Sequence, residues 1–128
     1  MHRILLRVVV LDLAAGSHDA GRAFWATALD GRPAEPHDDD RPEYSWLEHP
    51  ASPNHVLVQR LDDGESRVPL DLETDDMDAE IARLERAGAT RVERFERWQV
   101  MRDPTGMPFC VIPPQSDDFD RLARTVEG

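Results

Sequence analysis

Few side chains in this sequence combine a reactive type with a placement that chemistry could use. His55 and Asp71 each offer a lone pair in a stretch that reads as strand, so either is a candidate for holding or moving a proton. Each also has a plain structural reading: a lone histidine at a strand start is commonly a surface or hydrogen-bonded residue, and a strand aspartate commonly pairs with an arginine. Tyr44, Trp46 and Trp98 offer aromatic faces, and Gln59 adds an amide that can orient a ligand. Tryptophans in a small domain serve the core as often as a ligand.

The remaining reactive types are soon explained. Cys110 is the single cysteine, which rules out an internal disulfide or a multi-thiolate zinc site and leaves a buried structural thiol as the expectation. Ser17 and Ser116 stand where helices should begin and read as caps, and no Gly-x-Ser-x-Gly motif is present. His37 and Asp38 to Asp40 lie between Pro36 and Pro42, with Glu48 and His49 further on. Their spacing matches no calcium loop, so a solvated acidic loop is expected. Arginine occurs throughout but lysine is absent, which removes Schiff-base and Walker-type chemistry.

Composition narrows the partners. The chain has 128 residues, a formal net charge of −11 and a pI near 4.7. That length suits one domain. The negative balance opposes attraction to a phosphate backbone, so no nucleic acid is expected. No apolar stretch approaches the roughly 20 residues that span a bilayer, and the first residues lack a cleavage pattern, so a cytoplasmic location without membrane contact is expected.

The elements that must position these residues follow from periodicity. Arg3 to Leu13 is a stretch dominated by Ile, Leu and Val, read as a buried strand. A helix follows, capped by Ser17 or Asp19, with Ala20, Phe24 and Ala28 and their neighbours Ala23 and Trp25 at helical spacing until Gly31 and Pro33, Trp25 being assigned to the core or a subunit contact. Beyond the charged loop, Glu43 to Glu48 and His55 to Leu61 alternate as strands. A second cycle begins with a strand over Arg67 to Leu72. Asp75 or Asp76 then caps a helix with Met77, Ile81, Leu84 and Ala87 along one stripe, ending at Gly88. Strands over 91–95, 98–102 and 107–113 follow, with Asp103-Pro104-Thr105-Gly106 as the last turn. The tail from Ser116 to Val126 reads as a short helix burying Phe119, Leu122 and Val126.

The order strand, helix and three strands thus repeats at a period of about 58 residues. The implied fold class is α+β: two βαβββ modules, about 3–61 and 67–113, within a single domain spanning 1–128, their mixed sheet curled into a cup. A tail over 116–126 follows. Alternation turns Val68, Leu70 and Leu72 toward the helices, with Pro69 and Asp71 on the concave side.

The second half closely resembles the glyoxalase-like, bleomycin-resistance and dioxygenase superfamily, whose members are also called vicinal oxygen chelate proteins. The resemblance rests on Val68-Pro69-Leu70-Asp71-Leu72, then Asp75-Asp76-Met77-Asp78-Ala79-Glu80-Ile81-Ala82-Arg83-Leu84, and Gly88-Ala89-Thr90. It continues through Trp98-Gln99-Val100-Met101 and Asp103-Pro104-Thr105-Gly106-Met107-Pro108-Phe109-Cys110-Val111, while Ala23-Phe24-Trp25 before Ala28-Leu29 resembles the helix of the first module. It implies paired modules around a cup, often with a second chain alongside, so a homodimer is a family expectation. The family register places Pro108, Cys110 and Ile112 on the side of Pro69, and His55, Leu57 and Gln59 on the same side in the first module.

In metal-bearing relatives the position of Pro69 is often histidine and that of Pro108 often glutamate, both ligands. Proline offers no side-chain lone pair. Alignment of the two halves puts His55 opposite Pro108 in role, and Val10 or Leu11 opposite Pro69. One of four corners could then ligate, unless Asp12, Asp71 or a neighbouring subunit supplied a carboxylate. The resemblance therefore implies a chain with no metal and no cofactor, binding a small hydrophobic or aromatic molecule against Tyr44, Trp46, His55, Leu57, Gln59, Pro69, Trp98, Pro108 and Cys110, as resistance or sequestration proteins do. The alternative is a lyase, isomerase or dioxygenase with displaced catalytic residues, His55 and Asp71 being the candidates.

Overall fold

The computed structural model describes residues 1–33 and 44–127. The expected acidic loop around His37 to Asp40 lies outside the described residues. The chain divides into two compact units, Val8–Val68 and Met1–Arg7 with Pro69–Gly128. The fold is α+β with mixed strand pairing, and the long first strand β1 (His2–Leu13) contributes residues to both units.

In the unit Val8–Val68, β1 is followed by α1 (His18–Ala28), β2 (Arg32–Pro33), β3 (Tyr44–Glu48) and β4 (His55–Arg60). β1 and β4 pair in parallel, β3 pairs antiparallel with β4, and β2 with β3. A parallel pair cannot be closed by a hairpin, so the chain must cross over, and α1 lies in that crossover. Its packed face carries Trp25, Ala26 and Leu29 against Leu11, Leu13, Leu47, Val56 and Val58. The expected stripe of Ala20, Phe24 and Ala28 is instead exposed. A Cβ at Gly21 would meet Leu13 Cδ1 at 2.8 Å, so the helix lies close against the Leu13 side chain there. The sequence pattern also lacked a third strand for this module. It is the two-residue β2, too short to show a period.

The other unit holds β5 (Leu70–Thr74), α2 (Met77–Arg86), β6 (Thr90–Arg94), β7 (Gln99–Arg102), β8 (Pro108–Ile112), α3 (Phe119–Leu122) and β9 (Arg124–Val126). β5 and β8 are parallel, β8, β7 and β6 antiparallel, and β9 pairs antiparallel with His2 to Ile4 of β1. Asp76 caps α2, accepting from the Ala79 backbone N–H at 3.0 Å. Ile81, Met101, Phe109 and Val111 form the core beneath it, each such burial contributing roughly 1.5–3 kcal/mol.

Three expectations need correction here. The fifth strand starts at Leu70, because Pro69 has no N–H for a ladder and Arg67 exchanges both backbone hydrogen bonds with Asp12 instead (2.9 Å each). Val68 is accordingly 51% exposed and not under a helix, whereas Leu70 and Leu72 do pack on the core. The tail is not one helix: only Phe119–Leu122 is helical, and β9 follows. Neither serine caps: Ser17 Oγ donates to the Ala14 carbonyl, and Ser116 Oγ donates to Glu73 Oε2 at 2.6 Å. Fully buried Glu73 also accepts from the backbone N–H groups of Gln115 and Ser116 at 2.8 and 3.0 Å, which holds the tail's first residues.

The start of β1 is held by ions in the absence of lysine. His2 Nε2 lies 2.6 Å from Glu80 Oε2, and Arg83 grips both oxygens of Glu80 at 2.8 Å. Arg7 pairs with Asp118 through two bonds, and Arg3 with Asp75 and Asp120. Burial pushes the Glu80 carboxyl up, but Arg83 and His2 outweigh it and hold the pKa below the usual value. A depressed folded pKa makes a stabilisation that is present above the unfolded value and lost as pH falls through the folded one. Truncation by Glu80→Ala should lower stability by about 3–5 kcal/mol at pH 7, since it strands two partners of a buried pair. Urea denaturation measures this, and the gap to the parent should narrow in acid below the carboxylate range.

Candidate functional site

Within Val8–Val68, the sheet has one face under α1 and one opposite it. Registers assign the residues of the second face: Tyr44 stands opposite Gln59, and Trp46 opposite Leu57, across β3 and β4. Val8, Val10 and Asp12 of β1 stand beside His55, Leu57 and Gln59 in the parallel pair. Val56 and Val58, between them, are buried in the core on the other face. Five of the residues expected at a ligand surface, Tyr44, Trp46, His55, Leu57 and Gln59, therefore share one sheet face.

Their contacts show two textures. Trp46 is 38% exposed and meets the exposed His55 ring edge-on, with centroids 6.0 Å apart. An indole that remains open on a sheet face is a surface for stacking or enclosure. At the other end the Gln59 amide donates to Tyr44 Oη at 3.2 Å, so amide and phenol orient each other.

Beside Gln59 sits Asp12, which the pattern of residues offered only as a spare carboxylate. It is 3% exposed. Oδ2 accepts from Arg67 Nε at 3.1 Å, while buried Oδ1 has no hydrogen-bond partner among the described residues. Burial raises the carboxyl pKa above its ordinary value, and the Arg67 guanidinium offsets this only in part. The sequence did carry a signal for it. Leu11-Asp12-Leu13 and Leu70-Asp71-Leu72 are the same tripeptide, each ending five residues before the first residue of a helix, His18 or Met77.

In the other unit, Asp71 stands opposite Cys110, and Cys110 opposite Val100, on the face away from Phe109, Val111 and α2. Pro108 lies two residues before Cys110 on β8 and shares that face, while Pro69 lies just ahead of β5, two residues before Asp71. Cys110 is half-buried there and not deep in the core. Trp98 departs from expectation: it precedes β7 and stacks on Phe95 in the β6–β7 turn, centroids 4.7 Å apart and planes 17° from parallel. An aromatic partner next to a turn held it out of the strand.

The two tripeptides also fix which positions of the two modules correspond. Asp12 pairs with Gln59 as Asp71 pairs with Cys110. Two residues back, Val10 corresponds to Pro69 and Leu57 to Pro108. The expected correspondence of His55 with Pro108 is thus wrong by two residues, one step along the same face. Val10, Leu57, Pro69 and Pro108, the positions so aligned, carry no side-chain donor. These residues do not fit a divalent ion. Among the described residues no group of three or more His, Cys, Asp or Glu could hold one.

The paired βαβββ order and registers define a domain of the vicinal oxygen chelate type. The model of the glyoxalase-like domain family matches residues 8–112, and the chain belongs to that family. No match is found among curated proteins. Similar solved structures include methylmalonyl-CoA epimerase from Mycobacterium tuberculosis, at 18% identity and TM-score 0.55, covering 87% of this chain and 88% of that one. The Mn(II)-bound glyoxalase from Novosphingobium aromaticivorans aligns at 19% identity and TM-score 0.58, covering 95% of this chain but 45% of that one. A hypothetical protein from Bacillus halodurans aligns at 11% identity and TM-score 0.59, covering 89% and 96%. At these identities the likeness establishes the fold. This chain spans just under half the length of the Novosphingobium enzyme.

The raised Asp12 pKa has a consequence for stability. A carboxyl whose folded pKa lies above its unfolded value favours folding in acid and opposes it once pH rises through the folded value. Asp12→Asn removes that penalty along with a partly exposed arginine pair. Its stability at pH 7 should equal or exceed the parent's by about 1 kcal/mol, the advantage vanishing toward pH 3. Thermal melts across pH measure both.

Proposed function

We propose that this chain binds a small hydrophobic or aromatic molecule without a metal, using the face of β1, β3 and β4 opposite α1. The observation that carries the reading is the juxtaposition of open Trp46 and His55 rings with Leu57 and the Gln59–Tyr44 pair. An apolar and aromatic surface with few polar groups suits a planar or greasy ligand. The absence of donors at Val10, Leu57, Pro69 and Pro108 supports binding without an ion. Pro69, Asp71, Pro108 and Cys110 supply a second, smaller patch to the same end, and Trp98 is left to its stack with Phe95. A cytoplasmic protein that sequesters its ligand fits this reading. A homodimer is its expected assembly.

A second reading is an isomerase, lyase or dioxygenase, the epimerase and glyoxalase among the similar structures being enzymes. The carboxylate of Asp71 on its strand face favours it, as a group able to take a proton. His55 is a weaker candidate for that role, being exposed against Trp46.

The two readings part in one experiment. Protein purified without chelator or metal-binding tag should retain no stoichiometric metal by elemental analysis. A panel of aromatic compounds should then raise its melting temperature and quench tryptophan emission, with Trp46→Ala weakening the best binder about tenfold or more. Near one metal per chain, or turnover lost on Asp71→Asn in a folded variant, would favour the enzyme instead.

A further inference from the structure

Asp12 poses a question that packing alone does not answer. A buried acceptor left unpaired is rare in a folded chain and opposes folding, since it has given up water and gained nothing in exchange. One oxygen is explained: Oδ2 takes Arg67 Nε, and the backbone of Arg67 bridges that of Asp12 on both sides. These bonds would hold β1 to the 66–67 segment whether or not Oδ1 were present. Ser66 Oγ, which accepts from the Ala14 N–H at 3.0 Å, adds a further tie. Oδ1 is the atom without a structural task.

Its position gives it another. Asp12 is in register with Gln59, which is in register with and bonded to Tyr44, and the same face continues through Val10 and Leu57 to Trp46. The aromatic surface described above thus ends at a buried carboxylate with one oxygen left unpaired among the described residues. A carboxylate oxygen accepts and does not donate, and in a dry setting it strongly prefers a partner that brings a proton.

We infer that Asp12 Oδ1 is the polar recognition point of this face, and that the ligand is an aromatic molecule carrying an O–H or N–H donor at its edge. The inference rests on the binding reading of the same face and narrows it from greasy molecules in general to phenols and aromatic amines. Arg67 serves as a positioning residue: its guanidinium holds Oδ2 and so leaves Oδ1 to the ligand. The elevated carboxyl pKa is consistent with a group kept short of partners until a donor arrives.

The test compares 2-naphthol with 2-methoxynaphthalene, which share a ring system and differ in the donor, by calorimetric titration of the whole chain. The parent should prefer 2-naphthol by about tenfold to a hundredfold, the effect expected of a bond to a charged acceptor. Asp12→Ala should reduce that preference, read as the ratio of the two affinities, to within about threefold, and Asp12→Asn should fall between. Should Asp12→Ala fail to fold, the isosteric Asp12→Asn decides alone, by a preference at least threefold below the parent's. A purely structural Asp12 would alter both affinities alike. Equal affinities in the parent, or a preference that survives both variants, would overturn the role of Asp12 and leave the aromatic face standing. If the parent binds neither compound, the reading of the face fails and the inference with it.

Discussion

Parallel pairing of the first and last strands of each module is the constraint on which the rest depends. Parallel strands cannot be neighbours by a tight turn, so each module needs a crossover, and a helix there covers one sheet face. The uncovered face is then dictated by the two-residue period of the strands. Val56, Val58, Phe109 and Val111 go under helices. Leu57, Gln59, Pro108 and Cys110, one residue out of phase, must go to the other side. Whatever chemistry the chain has is chosen from this second set.

The elements were legible where the pattern is long. β1 shows as a long stretch dominated by Ile, Leu and Val, and α2 as a stripe between Asp76 and Gly88, where cap and periodicity agree. The covered faces of β4 and β8 followed from alternation. What failed was short or depended on distant partners. β2 is two residues long, β9 is made into a strand by His2 to Ile4, and Ser116 is drawn from a capping role by the buried Glu73. Helix α1 kept its extent but packs through Trp25 and Ala26 and leaves Ala20, Phe24 and Ala28 exposed, an outcome of tertiary packing that hydrophobic spacing does not specify.

The candidate site was legible to a similar degree. Tyr44, Trp46, His55, Leu57 and Gln59 were grouped with the help of the family resemblance, and the strand registers put them on one face. The cross-module correspondence was misjudged because connection lengths differ between the halves, so counting from the helices drifts where strand register does not. Asp12 was undervalued for another reason. A carboxylate at a strand end next to an arginine looks like any ion pair in sequence, and only burial of its second oxygen sets it apart.

The antiparallel pairing of β9 with the start of β1 bears on the order in which the molecule can assemble. His2 meets Val126, and its ring meets Glu80, so the start of the first strand is not fully partnered until segments far along the chain have been made. Contacts of such high sequence separation slow folding, because loop closure precedes any gain from the contact. During synthesis β1, rich in Ile, Leu and Val, waits for partners that are made later. Arg3 and Arg7, charged residues set within that strand, are well placed to keep it soluble meanwhile, later exchanging water for Asp75 and Asp118.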